Sequence, residues 1–167
     1  LQVMMMKNIL LLIGLFPLLA VAQQVELVRD FNNIATTSGH DPEGEGVVYN
    51  GQFFYSGISP SSGREPWITD GTVEGTKLLL DIRDAIGSGD PDDFAVTPNG
   101  VVFSANNLIQ GRELWITDGT SEGTQMLMDI YPGETSSSPT NMILFNGYAY
   151  FSAFHPYTDG SALWRTD

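Results

Sequence analysis

Trp67-Ile68-Thr69-Asp70-Gly71-Thr72-Val73-Glu74-Gly75-Thr76 and Trp115-Ile116-Thr117-Asp118-Gly119-Thr120-Ser121-Glu122-Gly123-Thr124 differ only at Val73 and Ser121, and a third copy begins at Leu163-Trp164-Arg165-Thr166-Asp167. The tryptophans stand 48 and then 49 residues apart. A fixed period of this size marks an architecture in which each unit packs on its neighbours. The register extends outward from the tryptophan. Tyr55-Ser56, Phe103-Ser104 and Phe151-Ser152 recur, as do Gly63-Arg64-Glu65 and Gly111-Arg112-Glu113, Asp81-Ile82 and Asp129-Ile130, and Pro91 and Pro139. The third copy stops where the pattern calls for Gly-Thr, so the expectation is a fragment of a longer protein.

Within the second copy the apolar runs predict four short strands: Phe94 to Thr97, Val101 to Ala105, Glu113 to Thr117 and Gln125 to Ile130. Pro98-Asn99-Gly100 forms a tight turn between the first two. Asn-Gly between apolar runs suits a type I′ hairpin, whose central residues both need positive φ; the other copies carry it at Asn50-Gly51 and Asn146-Gly147. No segment shows helical periodicity. The predicted fold class is therefore all-β: tandem four-stranded antiparallel repeats of about 48 residues, read as β-propeller-like blades, with a partial propeller in this fragment. Blade strands are covered on both sides by neighbours and so should be apolar on both faces, as in Val101-Val102-Phe103 and Gln125-Met126-Leu127-Met128.

The division that follows is a leader and signal peptide at 1–22, an outer strand with linker at 23–45, blades at 46–93 and 94–141, and a truncated blade at 142–167. Glu26-Leu27-Val28-Arg29-Asp30-Phe31 falls in register with the fourth strand, because Asp30 matches Asp81 and Asp129. This predicts circular closure, with that strand pairing into the last blade of the complete ring.

Lys7 precedes an apolar run from Ile9 to Ala22 that ends in the small-residue site Ala20-Val21-Ala22. This reads as a secretory signal peptide, too short at 14 residues for the roughly 20 of a membrane-spanning helix. The expected location is secreted or cell-surface, with no membrane insertion apart from the signal. With no cysteine, stability must come from packing rather than disulfides. Asp and Glu number 20 against seven Lys and Arg, a net charge of -13, which excludes nucleic acid as a natural partner. At 42% hydrophobic and 11% aromatic the composition forms a core.

At Glu113-Leu114-Trp115-Ile116-Thr117-Asp118-Gly119-Thr120 the chain resembles the ELWxxDGT repeat family of secreted bacterial proteins, and Pro66-Trp67-Ile68-Thr69-Asp70-Gly71-Thr72 is a near match. The resemblance covers roughly residues 24–167. It departs at Pro66, which stands where the motif has Leu, and at Ala162, which stands where it has Glu. The resemblance implies large exported proteins similar to those of Bacteroidetes, many with a C-terminal sorting signal, and it brings no activity to any residue.

Candidate residues sort by whether they recur. Asp70, Gly71, Thr72, Gly75 and Thr76, with Asp118, Gly119, Thr120, Gly123 and Thr124, have the chemistry of a rigid turn: Asp accepts from amides two residues on, Gly supplies positive φ, and Thr hydroxyls close the loop. Calcium is the competing reading. Hard cations want six to eight oxygens, so a second acidic segment is needed; Asp90, Asp92 and Asp93 could supply one, though their repeat equivalent Ser138-Pro139-Thr140 is not acidic, and no other cofactor is expected. Trp67, Trp115 and Trp164 sit mid-strand among apolar residues and are expected in the core between units. The aromatics of irregular segments, Phe154 and Tyr157 with His155 and also Tyr131, are the candidate ligand loop. Arg64 and Arg112 are expected to fork onto a neighbouring acid such as Asp70 or Asp118.

An enzyme would need a nucleophile with a base, a metal cluster or a carboxylate pair at positions that do not repeat, and none is evident. The expected function is a non-catalytic, exported binding scaffold whose partner is an extracellular protein or glycan. The alternatives are a spacer array in an adhesin-like protein and an accessory propeller of a secreted hydrolase.

Overall fold

The computed structural model describes residues 43–84, 87–157 and 160–167. The leader, the signal peptide and the outer strand expected at 26–31 lie outside the described residues. Among those described there are strands and no helix. Strands β1 (Glu43–Tyr49), β2 (Gln52–Ser59), β3 (Gly63–Thr69) and β4 (Lys77–Leu78) make one sheet. Strands β5 (Asp92–Thr97), β6 (Gly100–Asn106), β7 (Arg112–Thr117) and β8 (Gln125–Met128) make a second, and β9 (Thr140–Phe145), β10 (Tyr148–Phe154) and β11 (Ser161–Thr166) a third. Each sheet is an antiparallel meander in chain order.

Pairing registers match from sheet to sheet at the sequence period. Tyr55 faces Trp67, Phe103 faces Trp115 and Phe151 faces Trp164. The fourth strands are shorter than the apolar runs suggested: β8 ends at Met128 rather than Ile130, and β4 spans only Lys77–Leu78. Nor is β8 apolar on two covered faces. It lies at the sheet edge with Leu127 and Met128 exposed.

The hairpin turns differ in a way the shared Asn-Gly concealed. Asn50 and Gly51 have φ of 49° and 77°, and Asn146 and Gly147 of 51° and 81°, with Tyr49 paired to Gln52 and Phe145 to Tyr148. These are two-residue loops with both central residues left-handed, as a type I′ turn requires. In the middle sheet Asn-Gly is displaced by one position. Thr97 pairs with Gly100, so the loop residues are Pro98 and Asn99. Proline cannot take positive φ, and the turn is held instead by the Asn99 amide donating to Thr97 Oγ1 at 3.2 Å. Gly100 absorbs the strain at φ 152°, where a Cβ would run into the Thr117 carbonyl oxygen.

The sheets pack face to face. Phe54, Ile68 and Leu79 of the first bury against Val101 of the second, with Phe94 and Val96 alongside. The other face of the second sheet, through Ala95, Val102 and Leu114, buries against Ala149, Phe151 and Ala153 of the third. The middle sheet is covered on both sides, and β6 is buried from Gly100 to Ala105. The leading strands lie side by side, β5 against both β1 and β9. The second and third sheets each have a register shift at the leading strand, where Asp93 and its counterpart Asn141 take φ of 55° and 58°. There the Asn141 amide donates to Asp93 Oδ1 at 3.0 Å, joining the two sheets.

Candidate functional site

The meander order gives every sheet two unlike ends. One end carries the tight turns after β1, β5 and β9 and the loops after β3 and β7. The opposite end carries the loops after β2, β6 and β10 and the connections from one sheet to the next.

At the first end Asp70 Oδ1 accepts from the Thr72 amide at 2.9 Å and from the Thr72 hydroxyl at 2.7 Å. The Thr72 hydroxyl in turn accepts from the Gly75 amide, and Thr76 Oγ1 donates to the Thr72 carbonyl at 2.6 Å. Because that proton is committed, Thr69 Oγ1 must donate to Thr76 Oγ1, 2.7 Å away, while accepting from the Gly71 amide. Asp118, Thr120, Gly123, Thr124 and Thr117 repeat the circuit bond for bond. Gly75 and Gly123 sit where a Cβ would strike the aspartate carboxylate, and Gly71 and Gly119 hold φ of 89° and 98°. The Thr72 and Thr120 hydroxyl bonds, and then their amides, hold both aspartates below the usual carboxylate range. The loop hydroxyls are thus spent on the loop itself.

At the opposite end two buried carboxylates hold the connections. Glu65, fully buried on β3, accepts from the amides of Gly89 at 2.7 Å, Ile82 at 3.0 Å and Arg83 at 3.4 Å. Glu113 on β7 accepts from the amides of Ser137 at 2.7 Å and Ile130 at 2.8 Å and from Ser137 Oγ at 2.6 Å. Burial pushes Glu65 up to about 7, against the pull of its three amide donors, and raises Glu113 likewise. The sequence signal for this role is an acid inside an apolar strand, next to the recurring tryptophan. Its partners lie 17 and 24 residues away along the chain, too far for the sequence pattern to join them to the acid.

The arginines go elsewhere than expected. Arg64 Nε is 3.9 Å from Asp90 Oδ1, and Arg112 Nη1 donates to the Asp90 carbonyl at 2.7 Å and to Ser104 Oγ at 3.2 Å. Asp70 and Asp118 stand past the far ends of β3 and β7 from these arginines. The acidic run is likewise divided. Asp90 meets the arginines, Asp92 Oδ1 accepts the Asp93 amide, and Asp93 holds the third sheet. Among the described residues no three His, Cys, Asp or Glu side chains gather as a metal would need.

Trp67 and Trp115 are buried, and Trp164 is half-buried on the third sheet. Trp115 Nε1 donates to the Ala105 carbonyl at 3.2 Å and Trp164 Nε1 to Ala153 at 3.3 Å, fixing both rings to the neighbouring strand.

Exposed apolar groups stand on the loops of this second end. Phe154 and Tyr157 project, with Tyr157 87% exposed, and His155 lies between the rings of Tyr157 and Trp164, 5.6 Å from each. The sequence reading missed the adjacent loop, where Leu108 and Ile109 are exposed and Leu108 takes φ 68°. That loop is rigid: Asn106 Oδ1 accepts from the Leu108 amide, Asn107 Oδ1 from those of Ile109 and Gln110, and Asn107 Nδ2 donates to Gln110 Oε1. Leu108 and Ile109 also wall a cleft of about 500 Å³ with Ile82, Arg83, Asp84 and Asn107. The missed signal was Asn-Asn before a Leu-Ile pair that has no apolar counterpart at Pro60-Ser61.

Comparison with protein-family models, curated proteins and solved structures gives no match for the chain.

Proposed function

We propose that the chain is a non-catalytic, exported, β-propeller-like segment of the ELWxxDGT type that binds an extracellular protein or glycan through its variable loop end. The observation carrying this reading is the contrast between the two ends. One is a pair of repeating loops satisfied by their own hydrogen bonds, with Val73 alone exposed as a large apolar side chain; the other presents Leu108, Ile109 and Tyr157 on loops whose sequences do not repeat, with Phe154 at the end of β10 beside them. The Asn106–Gln110 loop, braced by its own hydrogen bonds and bearing exposed apolar side chains beside a cleft with Arg83 and Asp84, is suited to binding, because little ordering cost remains to be met on association. The propeller arrangement is supported by β1, β5 and β9 running side by side, as the innermost strands of successive blades would. The non-catalytic reading is supported by the fate of the recurring acids: Glu65 and Glu113 are committed to backbone amides, Asp70 and Asp118 to threonines.

The test is a screen of the chain against glycan arrays and immobilised extracellular proteins, repeated with Ile109→Ser and Tyr157→Ser. Both positions are exposed, so unfolding should be unchanged while binding weakens by about tenfold, the scale of a hot-spot loss. Binding that survives both substitutions removes the loop end from consideration. Chelation with EDTA should leave binding and unfolding alone; loss of either would restore the calcium reading for Asp90, Asp92 and Asp93.

A further inference from the structure

The connection leaving the first sheet and the loop between β6 and β7 are the two walls of one cleft, and both are held in place. On one wall the Ile82 and Arg83 amides donate to Glu65 at 3.0 and 3.4 Å, and Ile82 packs against Phe103, Ala105 and Trp115. On the other, Asn106 and Asn107 brace Leu108 and Ile109. The Asn106 amide donates to the Gly89 carbonyl at 2.8 Å, which ties loop to connection. The aliphatic side chains of Ile82, Leu108 and Ile109 line a space of about 500 Å³, room for one large apolar side chain and the backbone that bears it. Polar capacity is small. Trp115, 7% exposed, has Phe103 stacked on it at 6.5 Å and gives its Nε1 proton to Ala105. Asn107 spends Oδ1 on two amides and Nδ2 on Gln110. Arg83, with one nitrogen 3.4 Å from the Ser88 carbonyl, and exposed Asp84 are what remains for a ligand.

Those groups suit a peptide better than a sugar. A sugar ring asks for an open aromatic plane and directional partners for several hydroxyls, whereas a peptide segment asks for apolar walls, one donor for a carbonyl and one acceptor for an N–H. Charge then selects the kind of peptide. The connection from Leu79 to Pro91 carries Asp81, Asp84 and Asp90 against Arg83 alone, in a chain of net charge -13; such a field draws in cationic segments and repels acidic ones. We propose that the cleft takes an apolar side chain from a basic segment of a partner protein, gripped by Ile82, Leu108 and Ile109 while Asp84 and its neighbouring acids meet the flanking Lys or Arg. Because both walls are fixed beforehand, little ordering cost offsets the burial. We rest this on the loop end being the binding surface, where the cleft selects protein over glycan.

The test is solution NMR of the methyl-labelled chain titrated with acetyl-Lys-Leu-Lys-amide, acetyl-Glu-Leu-Glu-amide, acetyl-Lys-Ser-Lys-amide and methyl β-glucoside. The Lys-Leu-Lys peptide should shift the Ile82, Leu108 and Ile109 methyls saturably. Lys-Ser-Lys, which lacks the anchor, should bind about tenfold more weakly, and methyl glucoside should leave these methyls where they are. Glu-Leu-Glu should be about fivefold weaker at low salt and approach Lys-Leu-Lys at about 1 M sodium chloride, where the charges are screened. Asp84→Asn should narrow the difference between the Lys and Glu peptides. Ile109→Ser, at an exposed position, should weaken both Leu peptides without changing thermal unfolding. The proposal is overturned by shifts from methyl glucoside with none from Lys-Leu-Lys, by Glu-Leu-Glu binding as well as Lys-Leu-Lys at low salt, or by no probe reaching these methyls. In that last case, partner capture that is lost with Tyr157→Ser would keep the loop end as the binding surface, and no capture at all would overturn that reading as well.

Discussion

Glu65 and Glu113 show how a single side chain sets the path of the backbone. Each sits in a strand and takes backbone amides from the connection that leads to the next sheet, Ile82, Arg83 and Gly89 in one case and Ile130 and Ser137 in the other. An unpaired buried amide costs about 1–3 kcal/mol, so the carboxylate is needed wherever the connection turns inward. Burial has a price in pH dependence. Glu65 titrates near 7 in the folded chain because desolvation outweighs its amide bonds, with the charge of Asp81 adding to the shift. Its unfolded value is close to 4.5, so between the two the folded state holds a proton that the unfolded state has released. Stability from this group is complete below about 4.5 and declines as pH rises through 7. Glu65→Gln, which cannot ionise, should remove that slope. The stability of the wild type relative to the variant should fall by up to about 3 kcal/mol across the window, measured by urea unfolding at a series of pH values, and a pH-independent difference would show that Glu65 does not titrate there. Asp70 and Asp118 have the opposite sign. Their folded values lie below the ordinary carboxylate range, so what they contribute is lost only as pH falls through those lower values.

At the scale of strands and turns, the apolar runs were legible because β-branched and aromatic residues bounded by Asn, Gly and Pro leave little other choice. The same letters misled where backbone geometry depends on register. Asn99-Gly100 looks like Asn50-Gly51, yet the buried residues Val101 and Phe103 must occupy the positions of Phe53 and Tyr55, which pushes Asn-Gly one place along and makes Pro98-Asn99 the loop. Core packing fixes the register and the turn adapts. The bulge residues were hidden for a related reason: Asp93 and Asn141 tolerate positive φ, but so do many Asp and Asn residues that never adopt it. The candidate site was half legible. Phe154, His155 and Tyr157 stood out as aromatic and non-repeating, whereas the exposure of Leu108 and Ile109 follows from the Asn106 and Asn107 side chains that brace their loop, contacts no sequence pattern announces. Gly100 gives the test at this scale. With φ 152° and the Thr117 carbonyl against the place a Cβ would take, Gly100→Ala should destabilise the chain by about 1–3 kcal/mol, read from the denaturant midpoint. Gly51→Ala carries only the left-handed penalty of about 1–2 kcal/mol, since nothing lies near its Cβ position. Equal costs at the two sites would mean that the displaced turn is not strained.

For the whole molecule, charge and apolar burial oppose one another. A net charge of -13 makes the folded chain repel itself, and such self-repulsion weakens the compact state. The repulsion acts over a Debye length, about 10 Å at 0.1 M salt and about 3 Å at 1 M; burial of Phe54, Val102 and Phe103 depends on apolar area and is not screened in this way. Added salt should therefore stabilise the chain, and its thermal midpoint should be higher at about 1 M than at about 0.01 M sodium chloride. Stability dominated by ion pairs such as Arg64 with Asp90 would respond in the opposite direction. The two contributions thus give opposite salt dependences, and the sign of that response identifies whether net self-repulsion or surface ion pairing weighs more on the packed sheets.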